Sequence, residues 1–149
     1  MVPMELSNCI NFLLTVAQHE VFLTFSERLS AFGITPGQYG VLNCLWSRGS
    51  ATPKEIAQAL HLENSTVSGI LDKMEKRGLV DRVLDPNDRR SIRVAAIGEG
   101  EAIREGVLRT VEELNREILG RFTPEEAGQL LKLLRQLGTP TEQKSGQKG

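Results

Sequence analysis

The sequence predicts a mainly α-helical chain with one short β-hairpin, and three observations predict it. Helix-opening signals recur at Thr35-Pro36-Gly37-Gln38, Thr52-Pro53-Lys54-Glu55 and Thr123-Pro124-Glu125-Glu126. Each offers a threonine N-cap, a proline at the first helical position and a Gln or Glu able to close a capping box. Gly33, Gly49, Gly78 and Gly138 each follow a helical pattern, where a left-handed C-cap is wanted. The stretch 79–97 breaks the helical period. There Ile92, Val94 and Ala96 alternate with Ser91 and Arg93.

Taken in order, these signals place helices at roughly 5–32, 36–48, 53–60, 64–77, 99–121 and 124–137. The first is apolar at Leu6, Ile10, Leu13, Leu14, Ala17, Phe22, Phe25 and Leu29. In the middle, Ile56, Ala57, Leu60, Val67, Ile70, Leu71 and Met74 keep the 3.6-residue period of a small three-helix core, with Leu60-His61-Leu62-Glu63 as a turn. Leu79–Leu84 and Ser91–Ala96 flank the turn formers Asp85-Pro86-Asn87-Asp88 and make the hairpin. Helix, short helix, helix and hairpin over 36–97 describe a winged helix-turn-helix. Beyond it, Ile103, Val107, Val111, Leu114, Ile118 and Phe122, then Leu130, Leu131, Leu133, Leu134 and Leu137, are more apolar surface than a small lobe can cover. A symmetric homodimer of interlocked terminal helices would cover it. The expected organisation is a dimerisation helix (1–34), a winged helix-turn-helix lobe (35–97), C-terminal dimerisation helices (98–138) and a polar, disordered tail (139–149).

Composition narrows the function. The 149 residues are 40% hydrophobic and 25% charged, as globular domains are, and the formal net charge is −1. Cys9 and Cys44 are too few for a disulfide framework, and His19 and His61 share no metal-ligand spacing. No run is long and apolar enough for a membrane span, so a cytoplasmic chain with no membrane partner, metal or cofactor is expected. An enzyme is not expected either: the sequence holds no G-x-S-x-G, no phosphate-cradling glycine loop and no evident carboxylate dyad.

The near-zero total hides a local patch. Between Lys73 and Arg93 stand seven basic residues against four acidic ones. On the helix at 64–77, Ser65, Thr66, Ser68, Gly69, Asp72, Lys73 and Lys76 fall away from the apolar stripe. Small hydroxyl side chains there let a helix approach a groove closely, and arginines at a hairpin tip suit a minor groove, where the negative potential is deep. Double-stranded DNA is the partner these residues point to.

The run Leu71-Asp72-Lys73-Met74-Glu75-Lys76-Arg77-Gly78-Leu79-Val80 followed by Asp85-Pro86-Asn87-Asp88-Arg89-Arg90 resembles the signature of the MarR family of bacterial transcription regulators. Thr35-Pro36-Gly37-Gln38 and Ser65-Thr66-Val67-Ser68 share the likeness, which extends over about residues 5–137. The resemblance implies a dimeric repressor or activator on a palindromic operator. It places Ser65, Thr66, Ser68 and Lys73 in the major groove, with Gly69 beside them. Arg89 and Arg90 would form the wing tip, Asp88 would orient an arginine by an ion pair, and Thr52 and Lys54 would meet phosphates. It also implies a small effector, an aromatic or phenolic acid or its coenzyme A thioester, between the dimer helices and the DNA-binding lobe. Asn11, His19, Arg28, Tyr39 and Trp46 are the candidates for that pocket. Two alternatives are a thiol-based redox sensor acting through Cys9 and a winged-helix protein-interaction module. Tyr39 is the only tyrosine, and no Lys, Arg or His lies near Cys9 in sequence to lower its pKa, so an inert thiol is the expectation.

Overall fold

The computed structural model describes residues 1–140, the side chain of Arg89 excepted; the polar tail expected over 139–149 falls almost wholly outside them. Seven helices and one hairpin follow in order among the described residues: α1 (Ile10–Leu29), α2 (Pro36–Arg48), α3 (Pro53–Leu60), α4 (Asn64–Lys76), β1 (Val80–Asp85), β2 (Asp88–Ala96), α5 (Gly98–Ala102), α6 (Arg104–Leu119) and α7 (Pro124–Gly138). None of these helices is long and apolar enough to cross a membrane. The chain divides into two compact units, Met1–Val111 and the residues from Glu112 on.

The helix starts are where the caps put them. Thr35, Thr52 and Thr123 are all N-caps, accepting the backbone N–H of Gln38, Glu55 and Glu126. Two of the three capping boxes close. The third does not, because the Glu55 carboxylate turns to Arg93 (3.5 Å) and Arg48 (3.9 Å). Gly33, Gly49 and Gly78 have positive φ, as expected of helix stops. Gly138 departs from expectation: it lies inside α7, and the extended Thr139 is the cap. The Thr139 hydroxyl donates to the Arg135 carbonyl at 2.8 Å, satisfying a terminal acceptor without a left-handed residue.

Both long helices are broken. The expected helix at 5–32 is a 3-10 turn at Leu6–Asn8, an extended Cys9, then α1, then a second 3-10 turn at Ser30–Phe32. Ser7, Asn8 and Cys9 are weak helix formers, and left-handed Gly33 tightens the far end. The expected helix at 99–121 is interrupted at Ile103 into α5 and α6. Gly100 seats α5 closely against the lobe. A Cβ there would lie 2.0 Å from the Leu79 carbonyl oxygen, and the Gly100 carbonyl accepts the indole N–H of Trp46 at 3.1 Å. The backbone of α5 is thus pinned against the lobe by contacts that a free helix would not make.

In the first unit the core is Leu29, Ile34, Val41, Leu42, Leu45, Ile56, Val67, Leu71, Met74, Leu79, Val80 and Val94, with Val107 from α6. Every lobe position expected in the core is there, Leu60 and Ile70 being partly buried. The hairpin pairs Val80 with Ala96 through Leu84 with Ile92, and then Asp85 with Asp88. Residues 89–91 therefore have no opposite number on β1, and they bulge at the tip. One contact was not foreseen: Ala51 bridges Val94 through two backbone hydrogen bonds (3.0 and 2.7 Å), tying the hairpin to the chain entering α3. By contrast, Leu6 in the first 3-10 turn and Ile10, Phe12, Leu13, Val16, Val21, Phe22 and Leu23 along α1 are exposed. In the second unit Leu131, Leu133, Leu134 and Leu137 are exposed on α7.

Candidate nucleic-acid interface

Val67, Leu71 and Met74 bury one side of α4, which turns Ser65, Thr66, Ser68, Gly69, Lys73 and Lys76 outward. All six are exposed. No atom lies within 4 Å of a Cβ built on Gly69, so folding does not require glycine there. Glu63, the N-cap of α4, makes no side-chain cap bond, unlike the three threonine caps. The leading N–H groups of α4 therefore lack a cap from that residue and present the positive end of the helix dipole, which suits a phosphate.

Thr52 and Lys54 stand at the start of α3. The Thr52 hydroxyl is engaged as a cap acceptor, while Lys54 is exposed. Lys54, Gln58, His61, Glu63 and Asn64 line a surface hollow at the α3–α4 turn. His61 turns the chain there with φ 53°, the one positive-φ residue other than glycine among those described. Gln58, His61 and Asn64 are polar residues of this surface that the sequence pattern did not single out. Their signal was weak, because only the turn brings them beside Lys54.

The wing tip is shaped by carboxylates that hold backbone. Asp85 accepts the N–H of Asn87 at 2.8 Å and Asp88 that of Arg90 at 3.0 Å. Arg90 is exposed, and Arg89 belongs to the bulged part of β2. Not every cation of the basic run is available to a ligand. Arg77 donates to the Gly33 carbonyl. Arg82 pairs with Asp72 (2.9 Å) and Glu75 (3.1 Å), and Arg93 donates to Ser50 Oγ (2.9 Å) and the Ser50 carbonyl (3.0 Å) besides pairing with Glu55. Lys73, Lys76 and Arg90 enter no ion pair among the described residues. The outward charge is thus concentrated at the helix and the tip.

The five effector candidates lie on α1 (Asn11, His19, Arg28) and α2 (Tyr39, Trp46). Asn11, His19 and Arg28 are exposed on α1, and the last two are nine residues apart, which sets them on faces about 180° apart. Tyr39 is half-buried and accepts from the Asn43 amide at 3.2 Å; burial raises its pKa, which that hydrogen bond partly offsets. Trp46 is 7% exposed with its N–H spent on Gly100, so it ties α2 to α5. Cys9 is partly buried and Cys44 buried, and neither is in a disulfide.

Comparison with known proteins agrees with this geometry. The MarR family model matches residues 34–92, the lobe from the entry of α2 through most of the hairpin. The chain is 38% identical over 100 residues to an uncharacterised HTH-type transcriptional regulator, YsmB, of Bacillus subtilis, covering 67% of this chain and 68% of that one. A cysteine-to-serine variant of E. coli MarR, solved with operator DNA, superposes with a TM-score of 0.82 at 26% identity over 89% of this chain and 96% of its own. CouR of Rhodococcus jostii RHA1, solved with p-coumaroyl-CoA, superposes with a TM-score of 0.81 at 28% identity over 93% and 98%. With the family model matching the winged lobe and a relative 38% identical over two thirds of both chains, the chain belongs to the MarR family of DNA-binding transcription regulators.

Proposed function

We propose that this chain acts as a homodimeric repressor on a palindromic operator, released by a small aromatic acid or its coenzyme A thioester. The observation that carries the proposal is the union, in one packed lobe, of the exposed α4 face (Ser65, Thr66, Ser68, Gly69, Lys73) with the hairpin tip at Arg90. In this reading α4 enters a major groove, Lys54 and Thr52 lie along phosphates, and Arg89 and Arg90 reach the neighbouring minor groove. Asp88 orders the tip. Residues 35–97 form the reading lobe, while 1–34 and 98–138 pair two copies so that their α4 helices fall one duplex turn apart, roughly 34–36 Å. The exposed apolar run from Leu6 to Leu23 supports pairing, since such a surface is rare on a lone subunit. The likeness to CouR supports an aromatic thioester or acid as effector. Of the expected lining residues, His19 and Asn11 keep exposed polar groups for it, whereas Trp46 would shape the site from behind.

The testing experiment measures Arg90→Ala on a duplex enriched from a random pool by the wild-type chain. The expected result is weaker binding, with the slope of log affinity against log salt reduced by up to about 0.9 for each phosphate no longer neutralised. Unchanged affinity and slope would instead favour a winged helix that binds protein.

A further inference from the structure

Asp72 is a puzzle for any DNA-binding reading. It follows Ser65, Ser68 and Gly69 by seven, four and three residues and precedes Lys76 by four, so it shares their outward stripe on α4. A carboxylate there faces the polyanion that the helix is to approach. Glu75, one turn along, adds a second. Both are engaged by one side chain from the wing: Arg82 on β1 sends Nη2 to Asp72 Oδ1 (2.9 Å) and Nε to Glu75 Oε2 (3.1 Å). These are the only side-chain ion pairs that join the hairpin to α4 among the described residues. The other arm of the hairpin is fastened elsewhere, through Arg93 to Ser50 and Glu55.

We infer that Arg82, Asp72 and Glu75 form a positioning clamp that fixes the angle between recognition helix and wing, and so sets sequence discrimination rather than raw affinity. This rests on the DNA-binding reading above. Stability is not its main effect, because the three side chains are 37%, 59% and 42% exposed, and exposed pairs contribute little. Geometry is what it controls. A two-stranded hairpin is weak by itself. From Arg82 to the turn at Asn87 is a lever roughly 16 Å long at about 3.3 Å per residue. A tilt of about 10° would carry the tip roughly 3 Å, more than a hydrogen bond tolerates. With the clamp closed, α4 and the tip meet adjacent grooves in one register, and the two carboxylates are neutralised where phosphates pass.

Simple electrostatics and the clamp both predict tighter binding to any duplex once the acids are removed, but only the clamp predicts a loss of preference. Asp72→Asn with Glu75→Gln removes two negative charges from the DNA-facing side. The clamp predicts that this double variant binds a scrambled duplex more tightly, yet its preference for the enriched duplex over the scrambled one falls roughly tenfold, comparable to one mismatched base pair. Arg82→Ala loses a similar share of the preference, and the triple variant loses no more than the double, as members of one unit do. Arg82→Lys restores only part, since an ammonium cannot span both carboxylates as a guanidinium fork does. Melting temperatures stay near wild type throughout. Equal tightening on both duplexes would overturn the clamp, because the acids would then only repel phosphate, and so would losses that add in the triple variant. If the wild-type chain enriches no duplex at all, the DNA-binding reading fails first and the clamp with it.

Discussion

At the scale of single residues, Gly69 separates folding from binding. It sits inside α4 with open space where a Cβ would go, so glycine there weakens the helix with no packing in return. We expect Gly69→Ala to raise stability by about 1 kcal/mol, read from thermal or urea unfolding. The same methyl would stand between the α4 backbone and an approaching groove, so affinity for the enriched duplex should drop. A variant that is stabler and binds equally well would show that Gly69 is not at the interface. Residues such as Ser65, Ser68 and Lys73 were legible because they fall off the apolar period of their own helix. The fate of Arg77, Arg82 and Arg93 was not. Their partners lie 44, 10 and 38 residues away, and no local pattern says whether a cation is spent on a carbonyl, on a carboxylate or left facing solvent.

At the scale of elements, caps proved decisive where short-range hydrogen bonds close them, and long apolar patterns misled. Thr35, Thr52 and Thr123 marked three helix starts to the residue. The helices at 5–32 and 99–121 are not continuous, because apolar spacing persists across a broken turn while the backbone is extended at Cys9 and interrupted at Ile103. The box at Thr123 carries a pH prediction. The backbone N–H of Thr123, then its hydroxyl, hold the Glu126 carboxyl below its ordinary pKa. Folding therefore favours the ionised form: the contribution is present above the unfolded-state pKa and is lost as pH falls through the lowered one. Acid should loosen the first turn of α7, seen as falling helical circular dichroism. Glu126→Gln, which can close the box but not titrate, should lose that acid-dependent part.

At the scale of the whole molecule, the exposed apolar side chains of α1 lead to a test of assembly. Leu13 is 45% exposed, so Leu13→Asp should leave the lobe's core and its unfolding nearly unchanged. In sedimentation equilibrium it should shift a dimer to monomer, and affinity for the enriched duplex should fall with it, because two lobes joined in one body bind far more tightly than one. Monomeric wild-type protein at micromolar concentration would remove the pairing from the proposal. The sequence by itself determined the helix starts after Thr35, Thr52 and Thr123, the hairpin with its turn at Pro86 and Asn87, the lobe core and the outward face of α4. All of these follow from interactions within a few residues or from a repeating period. Only the tertiary structure decided that Gly100 seats α5 against Leu79, that Ala51 joins the sheet edge, and that Arg82 neutralises Asp72 across the gap to the wing. Those outcomes depend on distances between segments that the chain must first fold to bring together.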